Sequence, residues 1–133
     1  MGVRVSKTFI ALIVLALVLA ACSSSPAAFA AHGRLTASAG LMSGGPPSEL
    51  FPDISDGGQV TVVNSSNTVI GTGTLHLQGN QAQTVGETDT YTFTVSNLPG
   101  GLSRYGFQIG HNRGTVWETP SETKDPSLSL AAS

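Results

Sequence analysis

Apolar and polar residues alternate with a period of two over most of the second half of the chain. Val60 and Val62 flank Thr61. Val69, Gly71, Gly73, Leu75 and Leu77 share one parity, with Ile70, Thr72, Thr74 and His76 on the other. Tyr91, Phe93 and Val95 alternate with Thr92, Thr94 and Ser96, and Tyr105, Phe107 and Ile109 with Gly106, Gln108 and Gly110. Gly114-Thr115-Val116-Trp117 follows, and Leu128 and Leu130 close the series. Turn clusters, Asn64-Ser65-Ser66-Asn67 and Leu98-Pro99-Gly100-Gly101, separate the runs. Strict alternation gives a strand one buried and one wetted face, the condition of antiparallel sheets. About six short strands of this kind predict an all-β domain over residues 57–133, a small antiparallel two-sheet β-sandwich. Gly71 and Gly73, inside a strand, predict a bulge or the close approach of another backbone. After residue 22 no segment carries a sustained helical period; Ser121–Lys124 fits a single turn at most.

The start of the chain follows a different pattern. Arg4 and Lys7 precede an apolar run from Phe9 to Ala21, 13 residues long. A membrane-spanning helix needs about 20 apolar residues, so the run is too short for one. A basic start followed by a short apolar stretch predicts a secretory signal peptide over residues 1–21.

Between the signal and the first valine-rich strand the pattern lapses. Ser23-Ser24-Ser25-Pro26 leads into an Ala-, Gly- and Ser-rich stretch, and Gly40, Gly44, Gly45, Pro46 and Pro47 follow. Such a composition buries too little apolar surface to offset its ordering entropy, so residues 22–56 are expected to form a flexible tether. One cluster within it, Leu50-Phe51-Pro52 with Ile54, has the apolar character to dock on the domain.

Charge narrows the partners. With the signal removed, Arg34, Arg104, Arg113 and Lys124 stand against eight acids, a formal charge of −4. Nucleic acid is excluded as a partner because its binding needs clustered Lys and Arg to displace counterions. Adhesion to anionic lipid by charge alone is excluded for the same reason. The single cysteine, Cys22, has no partner in the chain for a disulfide.

The junction Leu19-Ala20-Ala21-Cys22 resembles the bacterial lipobox, in which the cysteine receives lipid and the chain is cut before it. The resemblance implies lipidation at Cys22, an anchor on the extracytoplasmic face of the cell membrane, and a mature chain of 112 residues. Each buried CH₂ of an acyl chain adds about 0.8 kcal/mol to membrane affinity. Residues 57–62, 69–75, 91–99, 105–114 and 128–130 resemble a small domain found in exported lipoproteins of high-GC Gram-positive bacteria, a group that implies no particular activity. The Leu98-Pro99-Gly100 turn before Tyr105-Gly106-Phe107 bears a distant resemblance to prealbumin-like sandwiches of B-type surface repeats, and the architecture is read as prealbumin-like or immunoglobulin-like. The Lys–Asn cross-link of many such repeats is not carried over, because Lys124 is the one lysine left and lies beyond most of the strands.

Candidate chemistry is sparse. His111 and Arg113 follow the strand ending at Ile109 and are the best candidates for a base and a cation at a rim. Trp117, near Tyr105, offers a ring on which a sugar or a partner would stack. Tyr105, His111, Arg113 and Trp117 therefore form the candidate binding surface. No serine sits in a nucleophile elbow, and no His or Cys spacing matches a zinc site. Asp53 and Asp56 lack the spacing of a calcium loop. Glu87 and Asp89 are read as residues of a solvated loop rather than as a glycosidase pair. The expectation is a non-enzymatic surface module with no metal and no cofactor, whose partner is an envelope protein or glycan. The alternatives are a carbohydrate-binding module for wall glycan and a small enzyme using His111 and Arg113.

Overall fold

The computed structural model describes residues 24–132. The signal peptide over 1–21 and the lipidation site at Cys22 lie outside the described residues. The chain is all-β. Its strands are β1 (Phe29–Ala39), β2 (Gln59–Val63), β3 (Val69–Thr74), β4 (His76–Leu77), β5 (Thr88–Leu98), β6 (Tyr105–Ile109), β7 (Val116–Glu118) and β8 (Ser127–Ala132). Among the described residues the one α-helical element is a short turn, α1 (Pro47–Leu50). The strands join in the order β7-β6-β2-β3-β5-β1-β8, with β4 on β5, into one eight-stranded sheet. That sheet rolls until its halves face each other as sandwich layers do, stopping short of closure between β7 and β8. All the strand pairs are antiparallel except β1 with β8, which run parallel.

The residue parity read from the sequence is the parity of the core except at the start of β3, where the register shift leaves Val69 exposed and Ile70 packs against the core. Val60, Val62, Leu75, Tyr91, Phe93, Val95, Tyr105, Phe107, Ile109 and Leu128 are all buried. Phe51 and Ile54 are buried beside them, so the apolar cluster before β2 docks. The close approach expected at the β3 glycines is present: a Cβ on Gly73 would lie 2.9 Å from Val95 Cγ2 and 3.1 Å from the Thr94 carbonyl carbon. Residues Glu122–Lys124 form one 3-10 turn, and Thr123 there is buried.

The tether over residues 22–56 is corrected by β1. Phe29–Ala39 is an eleven-residue strand inside the sheet, one place from its edge, with β5 on one side and the edge strand β8 on the other. Its inward residues are Ala31, Gly33, Leu35, Ala37 and Ala39. The alternation is therefore written in small residues with little hydrophobic contrast. Smallness is what the site requires. Gly33 lies opposite Phe93, Leu35 opposite Tyr91 and Ala31 opposite Val95. A Cβ on Gly33 would fall inside the Phe93 ring. Large side chains of β5 fill the volume that β1 leaves, as close packing demands. Only residues 24–28 remain as coil before β1.

The solvated loop expected around Glu87 and Asp89 is half right. Glu87 is exposed, and its carboxylate accepts the backbone N–H groups of Gln83 at 2.6 Å and Thr84 at 2.9 Å. These bonds hold its carboxyl below the usual range. Asp89 is 1% exposed and faces inward opposite Ala37. Its Oδ1 accepts the Ala82 N–H at 2.7 Å, pinning the β4–β5 loop, while Oδ2 has no hydrogen-bond partner among the described residues.

Candidate functional site

The strand directions give the barrel two distinct ends. β1, β3, β6 and the returning β5 place residues 24–28, the Asn64–Thr68 turn, the Pro99–Arg104 turn and the end of β7 at one of them. The opposite end holds residues 40–58, the β4–β5 loop and the Gly110–Thr115 turn. The four candidate residues do not converge on one surface. Trp117 stands near the first end, His111 and Arg113 stand at the second, and Tyr105 is inside.

Tyr105 is corrected as a surface residue. It is 1% exposed, it meets Phe29 edge-on at a centroid distance of 5.4 Å, and its hydroxyl donates to the Pro99 carbonyl at 2.7 Å. Its parity places it inside the sheet with Phe107, and the hydroxyl finds the partner that a buried phenol requires.

Arg113 is committed to an ion pair. Its Nε donates to Asp53 Oδ2 at 2.8 Å, and its Nη2 donates to Oδ1. Asp53 Oδ2 also accepts the His111 backbone N–H at 2.8 Å. The guanidinium lies 5.0 Å from the Phe51 ring centroid. A fork of two N–H bonds to one carboxylate is the strong form of this contact. It holds the Asp53 carboxyl well below the usual carboxylate range and raises Arg113. Gly110, Asn112 and Gly114 all have positive φ, at 67°, 57° and 78°, which bends the turn back over Asp53. A Cβ on Gly110 would strike the Asp53 carboxylate, so glycine is needed there for space as well as for conformation. The His111 imidazole remains exposed above this clasp. Asp53 was visible in the sequence only as an acid near Asp56; its partner is 60 residues away.

Trp117 is 38% exposed, on the outer face of the sheet opposite Gly106. A Cβ on Gly106 would meet Trp117 Cζ3 at 2.8 Å and Val63 Cγ2 at 2.9 Å, so the glycine leaves the indole room to lie beside Val63. The guanidinium carbon of Arg104 sits 4.2 Å from the centroid of the indole ring. A sugar would stack on that face only by displacing the cation.

The second end also carries exposed apolar side chains that the sequence pattern does not single out. Leu41 is 81% exposed, Met42 92% and Val85 40%. Leu41 Cδ2 would lie 2.9 Å from a Cβ on Gly86, so the Gly40–Gly45 turn and the β4–β5 loop meet there. The sequence signal was an apolar pair inside a Gly-rich turn, which carries meaning only once the flanking strand is known. Replacing Leu41 and Met42 together by Ser is expected to leave the unfolding free energy within about 0.5 kcal/mol of the parent. A steep fall in the urea midpoint would mean that the pair packs within the domain.

Among the described residues, no group of three or more His, Cys, Asp or Glu side chains is placed to hold a metal ion. No described helix is long and apolar enough to cross a membrane. Comparison with known protein families, curated proteins and solved structures finds no match.

Proposed function

We propose that the chain is a lipid-anchored module of the extracytoplasmic membrane face, without catalytic activity, that holds one end of its barrel at the bilayer and offers the other to an envelope protein. The observation that carries this reading is the opposition of the two ends. The chain reaches β1 past Pro26, which packs on Gly100 and Gly101. Pro26 is four residues from Cys22. Leu41, Met42 and Val85 are exposed at the far end, beyond the full length of β1. Apolar side chains left in water at a loop tip suit recognition by a partner rather than packing.

The Asp53–Arg113 clasp supports the non-catalytic reading. A cation forked onto a carboxylate is spent on shaping a turn, and a general base at His111 would lack a positioned partner. The test is Cys22→Ser in the native cell. Parent protein is expected in the membrane fraction and the variant in the soluble extracytoplasmic fraction. A variant that pellets as the parent does would remove the anchor from the account.

A further inference from the structure

At the end of the barrel where the described chain begins, the outer face of the sheet carries a small apolar cluster that the core does not explain. Alternation along β2 points Val63 outward while Val62 stays in the core, and the register shift there, which passes over Ile70, brings Val69 opposite Val63. Val63 is nevertheless 1% exposed, because the Trp117 indole lies beside it over Gly106. Val69, paired with Val63 across β2 and β3, extends the cluster and is 57% exposed. Arg104 stands over the indole, and the polar Asn64–Thr68 turn borders the patch. An outward tryptophan, an exposed valine, an arginine and a rim of small polar residues form one group on the side from which the chain leaves toward residue 22.

The short leash sets where this group sits. Pro26 is fixed against Gly100 and Gly101, and the same turn continues through Leu102 to Arg104. The stretch from Pro26 back to Cys22 reaches at most about 14 Å when fully extended. A lipidated residue 22 therefore keeps the Pro99–Arg104 turn within headgroup depth of the bilayer.

We propose that the Val63–Val69–Trp117 patch with Arg104 is a docking surface for the lipid headgroup region, so that the domain lies on the bilayer in one orientation instead of swinging on its anchor. This inference rests on the lipid-anchor reading above. Tryptophan suits the boundary because its ring is apolar and its N–H is polar, and arginine extends its stem along apolar surface with its head among phosphates. The charge over the patch is Arg104, and the nearest carboxylates along the chain after Trp117 are Glu118 and Glu122. Glu118 is pushed up by burial and by its contact with Glu122. One cation against two carboxylates points to a zwitterionic surface and to docking that tolerates salt.

Trp117 is the only tryptophan, so its emission reports on this patch alone. The full lipidated chain is reconstituted in phosphatidylcholine vesicles and floated. Phosphatidylcholine brominated high on its acyl chains then replaces the plain lipid. The expected result is that emission shifts to the blue on vesicle binding, is largely lost with the brominated lipid, and changes little in high salt. Val69→Asp, at an exposed site, is expected to restore much of the emission while the protein still floats. A floating protein with unquenched, unshifted Trp117 overturns the docking and leaves the anchor standing. A chain that fails to float overturns both.

Discussion

Leu35→Ala is expected to cost about 2–5 kcal/mol of unfolding free energy, the usual range for removing a buried leucine and leaving a cavity. Leu35 is 1% exposed, sits opposite Tyr91 on one side and Leu128 on the other, and belongs to the same core cluster as Phe93 and Phe107. A domain of this size has about 5–15 kcal/mol in total, so the loss moves the urea midpoint far and leaves little folded protein at elevated temperature. Arg34→Ala, its neighbour on the wetted face of the same strand, is expected to change stability by less than about 0.5 kcal/mol. The contrast between adjacent positions is diagnostic of a strand. Urea unfolding of the Cys22→Ser form measures both, and equal small effects at 34 and 35 would return this segment to the status of a tether.

The second large effect is on acid stability. Asp53→Asn removes the charge that Arg113 grips and weakens the acceptor of the His111 N–H, with an expected loss of about 2 kcal/mol at pH 7, in the range for hydrogen bonds to charged groups. The loss should depend on pH in a definite direction. The folded carboxyl of Asp53 is depressed, first by the Arg113 hydrogen bond. An unfolded aspartate titrates at about 3.9. The unfolded state therefore takes up a proton first as pH falls, so the contribution of Asp53 is complete above about pH 5 and drains away below about pH 4. Glu87 and Glu122, also depressed by hydrogen bonds from their neighbours, act in the same sense. Stability measured from pH 7 to pH 2 should fall for the parent and fall less for Asp53→Asn, the two curves converging in acid. Parallel curves would show that the clasp contributes no charge-dependent stability.

Which parts of the fold the sequence disclosed follows from side-chain size. Where the inward residues are Val, Leu, Tyr and Phe, as in β2, β5 and β6, the period of two is plain and the buried parity is legible residue by residue. In β1 the inward residues are Ala and Gly facing Phe93 and Tyr91, and the same period loses its hydrophobic contrast. The volume that makes the strand belong in the core is carried by its partner, about 60 residues away, where no reading of the local run detects it. Tyr105 has the opposite lesson. Its inward parity is evident beside Phe107, and its assignment to the surface with Trp117 rests on proximity in the β6–β7 hairpin alone. The second end of the barrel stayed hidden because Asp53, Leu41 and Val85 acquire partners only through loops that the topology brings together.

The position of β1 has a consequence for how the protein is made. Its neighbours in the sheet, β5 and β8, are the strands at Thr88–Leu98 and Ser127–Ala132, so nearly every contact of β1 closes a long loop. Such distant pairing slows folding, because the entropy of loop closure must be met before the contacts reward it. On the proposed export route the amino-terminal side emerges first and is fastened to the bilayer while the strands that complete its sheet are still in transit. Until Ser127–Ala132 arrive, Leu35 and Ala37 lie along an open margin whose backbone groups any extended chain would satisfy. The interval between emergence and completion is thus the period in which this protein is most exposed to proteases, to self-association and to any chaperone stationed at the membrane surface.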